Sequence, residues 1–187
     1  MRQVFKAGLR HKLQAHVGRG GLIAYATASC FGVGCDPRNA KAVRRLLVLK
    51  RRPKNKGLIL VAHDFQLLAP FVAPLSVGSR ERALKRWPGP HTWLMSASRQ
   101  TSRSVRGNHD EVAVRVDGHP DTIEICRILG MAITSSSLNR TGQVPVRTYR
   151  EASRQFGGCV LVLPGRIGGD KRPSTIEDFT TGRIIRP

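Results

Sequence analysis

The segment Leu58-Ile59-Leu60-Val61-Ala62 constrains this chain most, because it is wholly apolar and is bounded by Lys56-Gly57 and His63-Asp64. A short run without polar alternation suits a central strand covered on both faces, the kind found in layered α/β folds. The flanking patterns supply the covering helices. Val4, Phe5, Leu9, Leu13 and Val17 recur at three- and four-residue steps and predict an amphipathic helix, ended by Gly18, Gly20 and Gly21. Asn39 to Lys50 carries a second such pattern, stopped by Pro53, and Thr122 to Leu129 a third, closed by Gly130. Phe65–Val72, Arg80–Arg86 and Tyr149–Phe156 read as further helices.

Leu22–Ala26, Thr92–Ser96, Val112–Val116, Ala132–Ser135 and Cys159–Leu163 read as strands, with short extended pieces at Ser174–Asp178 and Arg183–Ile185. Ala132–Ser135 is expected to run straight into a Ser-rich loop, and Gly165–Pro173 to be a loop. Strands and helices alternate irregularly, which predicts a single-domain, open, mixed sheet with flanking helices rather than a doubly wound one. With no internal repeat and no long polar linker, residues 1–187 are expected to form one domain.

Charge narrows the partners. The chain holds 32 Lys and Arg against 12 Asp and Glu, a formal net of +20, and Asp36 is the only acid between Met1 and His63. Such a surplus attracts polyanions: nucleic acid, nucleotide phosphates or an acidic membrane surface. A solvated basic face is the plainer reading of the same residues. Cys30, Cys35, Cys126 and Cys159 lack metal-ligand spacing, so reduced and mostly buried thiols are expected. No stretch reaches the roughly 18–20 apolar residues that span a bilayer, and the N-terminus lacks the apolar core of a secretory signal; a cytoplasmic protein is expected.

Two segments offer phosphate chemistry. Lys50-Arg51-Arg52-Pro53-Lys54 follows a helix and combines point charges with planar guanidinium forks. Thr134-Ser135-Ser136-Ser137-Leu138-Asn139 follows a strand, and its hydroxyls and backbone amides can cradle phosphate oxygens, although an ordinary Ser/Asn turn accounts for it as well. There is no Walker loop and no zinc-like histidine spacing. His119, just before Pro120, is expected to hold a turn rather than to do chemistry.

These segments, in this order, carry a resemblance. Leu22–Pro37, Leu49–Leu60, Arg86-Trp87-Pro88-Gly89-Pro90 with Thr92, Val112–Val116 with His119-Pro120, Ser135–Asn139 and Pro173-Ser174-Thr175-Ile176 together resemble the bacterial threonylcarbamoyl-AMP synthase (Sua5/YciO/YrdC) family over nearly the whole chain. Its hallmark Lys-x-Arg and Ser-x-Asn motifs stand here as Lys50-Arg51-Arg52 and Ser137-Leu138-Asn139. The resemblance implies a twisted, open α/β sheet with a basic concave face. It also implies condensation of L-threonine, bicarbonate and ATP, accompanied by Mg2+, to threonylcarbamoyl-AMP and pyrophosphate. That product serves threonylcarbamoyl modification of adenosine 37 in ANN-decoding tRNAs through a downstream threonylcarbamoyl transferase complex.

Residue by residue, the resemblance implies that Lys50 and Arg52 neutralise the triphosphate and leaving pyrophosphate and that Ser137 and Asn139 hydrogen-bond nucleotide phosphate or the transferred group, these four as the catalytic set, with Lys54 and Arg186 as further ATP contacts. Thr27, Arg115, Ser135 and Ser174 are implied at the threonine end. The chain departs from the usual Tyr-Pro-Thr-Glu with Tyr25-Ala26-Thr27-Ala28, losing a fixed backbone angle and a carboxylate beside the implied threonine site. Leu138 replaces the usual Ala and is expected to add bulk beside the nucleotide. The competing expectation is a non-catalytic module of the same fold that binds tRNA or double-stranded RNA on its basic face.

Overall fold

The computed structural model describes residues 5–187; Val4, counted above in the first helical stripe, lies outside them. The elements are α1 (Ala7–Gly18), β1 (Ile23–Ala26), β2 (Phe31–Gly34), α2 (Ala40–Lys50), β3 (Ile59–Ala62), α3 (Val77–Leu84), β4 (His91–Ser96), α4 (Arg103–Arg106), β5 (Glu111–Val116), α5 (Pro120–Leu129), β6 (Ile133–Ser137), α6 (Tyr149–Phe156), β7 (Leu161–Val162), β8 (Thr175–Asp178) and β9 (Ile184–Arg186). The nine strands form one mixed sheet in the order β7-β1-β2-β6-β3-β5-β4-β8-β9. The apolar run at Leu58–Ala62 sits near its middle, β3 pairing parallel with β5 and antiparallel with β6.

Strand parity sorts the side chains between two layers. Leu58, Leu60 and Ala62, together with Val112, Val114 and Val116, join one core cluster that also takes in Val43, Leu46 and Leu47 of α2. Val61 points the other way, into a second cluster with Leu13 and Val17 of α1 and Ile125 and Ile128 of α5. The second face is therefore covered by α1 and α5 where β1 and β3 run. Beyond them Ala113 and Arg115 of β5 and Leu94 of β4 line an open cavity instead.

Local chemistry sets the ends of the helices. The Asn39 side chain accepts from Ala42 N at the start of α2, and Thr148 with Glu151 forms a reciprocal capping box at α6. Helix α2 ends on Lys50 because Arg51 turns into the left-handed region at φ 50, an uncommon conformation for a residue with a Cβ. His119 caps α5, its ring accepting from Asp121 N, so the expected turn-holding role is observed.

Three expectations change. Phe65–Val72 is not one helix but two 3-10 turns, Phe65–Leu67 and Ala69–Phe71; Pro70 has no N–H with which to continue a helical ladder. The Ser-rich stretch is not a loop at its start, since β6 runs through Ser137 and pairs Ser136 and Ser137 with Val33 and Gly32 of β2. Of the four free thiols only Cys35 and Cys126 are buried, whereas Cys30 is half-buried and Cys159 exposed.

Candidate active site

Because β5 alternates, Glu111, Ala113, Arg115 and then Asp117 face a cavity of about 670 Å³ on the sheet surface that α1 and α5 leave open. That size suits a small molecule or nucleotide. Ile59, Leu94, Ala113, Ile176 and Ile185 contribute apolar surface to its lining.

Thr27, Ser135 and Ser174, all buried, line the cavity with Arg115 and Arg186. Arg115 donates through Nε and Nη2 to Asp117 Oδ2 at 3.0 and 2.6 Å, and Asp117 Oδ1 accepts from His119 N at 2.8 Å. The pair is 12% and 7% exposed. Asp117 thereby fixes the guanidinium plane while Nη1 has no hydrogen bond among the described residues, a suitable arrangement for gripping a ligand carboxylate. Arg186 donates to Ser174 O at 2.7 and 3.0 Å and to Ser174 Oγ at 3.1 Å, and Ser174 Oγ also contacts Thr92 Oγ1 at 2.9 Å. Burial, then repulsion from Arg115 and Arg52, lowers the pKa of Arg186, so three guanidiniums converge on one space. An anion there relieves their mutual repulsion.

Further along the wall the two phosphate-like segments meet, although 87 residues separate them. Lys50 Nζ donates to Ser137 O, to Asn139 O at 3.0 Å and to Asn139 Oδ1 at 3.1 Å, while Ser137 Oγ donates to Asn139 Oδ1 at 2.7 Å. Thr141 closes the cluster by donating its N–H and hydroxyl to Lys50 O at 2.8 and 2.9 Å. Ser137 lines the cavity; Lys50, only 4% exposed, and Asn139 stand behind it. Burial, then Arg52, lowers the Lys50 pKa to about 8. Arg52 reaches the cavity and donates to Gly57 O at 2.6 Å.

Two sequence-based expectations are displaced. Leu138 adds no bulk to the cavity, because its side chain is buried in the core cluster beside α2. Lys54 is absent from the cavity wall and borders a neighbouring basic groove. The cations that do line the wall and went unnoticed are Lys56, Arg106 and Arg172, with His109 beside them. Lys56 is set by a backbone bridge to Gly107, whose φ of +70 and close approach to Asn55 O exclude a side chain. Only the spacing of Lys56 after Arg52 and Lys54 hints at it in sequence. Among the described residues no group of three or more His, Cys, Asp or Glu could hold a metal ion.

Comparisons with known proteins concern the family and the fold. A protein-family model described as Sua5_yciO_yrdC, telomere recombination, matches residues 16–187. The chain is 51% identical over 175 residues to a threonylcarbamoyl-AMP synthase of Methylobacillus flagellatus, covering 94% of this chain and 97% of that one. It is 46% identical to the enzyme of the same name from Thiobacillus denitrificans, covering 97% and 96%. Among solved structures, P. abyssi Sua5 complexed with L-threonine superposes with a TM-score of 0.85 at 25% identity, over 95% of this chain; the chain spans 54% of that larger protein. E. coli YciO superposes with a TM-score of 0.82 at 21% identity, over 97% of this chain and 89% of YciO, a likeness of fold.

Proposed function

The chain belongs to the Sua5/YciO/YrdC family, and from that premise we propose that it is a threonylcarbamoyl-AMP synthase, a nucleotidyl-transferring enzyme that uses L-threonine, bicarbonate and magnesium-bound ATP. The observation that carries the reading is the meeting of Lys50 with Ser137 and Asn139 beside the cavity that Arg115 and Ser174 also line. The bound ammonium first gives up a proton to solvent, and the free threonine amine then combines with bicarbonate to give a carbamate and water. A carbamate oxygen then attacks the α-phosphorus of ATP, and the bond to the β-phosphate oxygen breaks to release pyrophosphate.

The protein's own work in that sequence is positioning and charge compensation. Arg52, with Lys56 and Arg106 beside it in the wall, faces the triphosphate and its leaving group. Ser137 hydrogen-bonds the transferred phosphoryl group from a turn that Lys50 and Asn139 hold in place. Arg115 and Ser174 grip the threonine carboxylate, with Thr27 and Ser135 alongside. Magnesium arrives with the triphosphate, held by phosphate oxygens and water. The expected destination of the product is tRNA adenosine 37 through a downstream threonylcarbamoyl transferase complex, in the cytoplasm. No helix among the described residues is long and apolar enough to cross a membrane. Pyrophosphate release measured with each substrate omitted in turn tests the reading: it should require ATP, threonine and bicarbonate together. Release independent of threonine would overturn it.

A second observation favours direct RNA contact, the alternative role for the basic surface. The neighbouring groove of about 640 Å³ is lined by Lys41, Arg44, Arg51, Arg52, Lys54 and Arg103 and by no acid. Apart from Arg52, none of these side chains has a hydrogen bond or ion pair within the described residues, so their charge is free for phosphates. The groove has no aromatic residue on which bases could stack, which favours a duplex backbone over single strands. If the five free cations neutralise five phosphates there, affinity for a tRNA stem-loop falls about five-hundredfold between 50 and 200 mM salt. Binding that is insensitive to salt, or unchanged in an Arg44→Glu, Arg51→Glu variant, would remove this partner.

A further inference from the structure

We propose that the Asp170 carboxylate receives the ammonium group of the threonine substrate and so selects a zwitterionic amino acid over a simple hydroxy acid; this rests on the threonine reading above. An amino acid brings one anion and one cation, a few ångströms apart. The part of the wall that suits the anion is strongly cationic, with Arg115 and Arg52 both close enough to repel Arg186. A bound ammonium needs a carboxylate there to offset those charges.

Few carboxylates can serve. The cavity wall holds Glu111, Asp117 and Asp170. Asp117 is committed through both oxygens, to Arg115 and to His119 N. Glu111 begins β5, four residues before Arg115 and so roughly 13 Å away along the strand. Asp121 is buried, lies outside the wall with Oδ2 directed at Gly165, and is pushed up by burial to about 6. Asp170, exposed and lining the wall next to Ala28 and near His119, alone of the wall carboxylates has no side-chain hydrogen bond or ion pair among the described residues.

Its backbone is fixed in place. Asp170 N donates to Ala28 O at 3.1 Å and Gly168 N to Thr27 O at 2.9 Å, so the 165–173 loop lies directly on the Thr27-Ala28 corner. A Cβ at Gly168 would come within 2.9 Å of Ala28 O, so only glycine allows that approach. His119 links this loop to the Arg115 pair: burial lowers its pKa, and both Asp117 and Asp170 act against that shift. Ala28 leaves the corner without a carboxylate of its own, and the loop brings one from the opposite side.

The test is calorimetric titration with L-threonine and with (R)-3-hydroxybutyrate, which keeps the carboxylate and hydroxyl but lacks the amine. Asp170→Asn should weaken threonine at least tenfold, leave the hydroxy acid within about twofold and leave ATP binding unchanged. Asp170→Glu, which retains the charge, should keep threonine within about threefold. Unchanged threonine affinity in Asp170→Asn would overturn the proposal. So would equal losses for both ligands, or an Asp170→Glu loss as large as that of Asn, since either outcome means that the loop is only structural. Wild-type protein that binds ATP but not threonine would overturn the functional reading itself and this proposal with it, and that outcome needs no variant to be recognised.

Discussion

Lys50→Ala is expected to lower threonine-dependent pyrophosphate release by about a thousandfold or more while leaving the sheet and its two core clusters folded. The residue is the last of α2, and its loss opens no apolar layer. Three acceptors lose the ammonium at once; Ser137 O keeps Asn139 N and Asn139 Oδ1 keeps Ser137 Oγ, but Asn139 O is left with no donor among the described residues. A buried acceptor without a partner costs about 1–3 kcal/mol, so the Ser137–Asn139 turn should reorganise. Removing a single preorganised donor from developing charge costs about 10²- to 10³-fold, and here a whole phosphate-facing turn moves. The pH dependence separates this role from generic destabilisation. With Nζ at about 8 in the fold against 10.5 for an ordinary lysine, the unfolded chain binds the extra proton between those values. Wild-type stability relative to Lys50→Met should therefore rise with pH from about 8 to 10.5. Activity should fall over the same range, as the amine loses the proton with which it serves three oxygens. Opposite slopes in urea unfolding and in initial rates would support the role; an unchanged rate in Lys50→Ala would end it.

The sequence made this cluster findable only in pieces. Lys50-Arg51-Arg52 could be read as a basic helix end and Ser137-Leu138-Asn139 as a polar turn, and their order carried the family resemblance. Their contact depends on β6 lying between β2 and β3, which no local pattern states. Strands with strong local signals were legible: Leu58–Ala62 and Val112–Val116 each match an observed strand to within a residue. Strand β2 was not, because Phe31-Gly32-Val33-Gly34 has the composition of a turn. It is a strand because Tyr25 and Thr134 approach its glycines from either side; a Cβ at Gly34 would come within 2.2 Å of Thr134 O. Serine's weak strand preference likewise hid the end of β6, which the pairing with β2 imposes. Lys56 and Asp170 escaped notice for the same reason. Each is a charged loop residue brought to the cavity by a backbone partner distant in sequence, Gly107 for one and Ala28 for the other.

Arg115→Met is expected to lose both threonine binding and stability, and the two losses can be separated. Stability should fall by about 3–5 kcal/mol, because Asp117, 7% exposed, is left as a buried charge without its partner. Asp117 cannot simply turn to solvent, since Oδ1 also accepts from His119 N, where α5 begins. The double variant Arg115→Met, Asp117→Asn should recover most of that stability: the amide keeps an acceptor for His119 N and carries no charge. It should not recover threonine, whose carboxylate has lost the guanidinium, so the threonine KM should stay at least tenfold above wild type while ATP affinity changes little. Arg115→Lys sharpens the argument, because a point charge preserves attraction to Asp117 but not the planar fork that holds Asp117 and a ligand carboxylate together. It should keep more stability than Arg115→Met yet bind threonine poorly. Urea unfolding with steady-state kinetics in threonine reads both quantities on the same preparations. A double variant that regains stability and threonine affinity together would mean that Arg115 acts only through Asp117, and the threonine carboxylate would then have to be sought at Arg186 and Ser174.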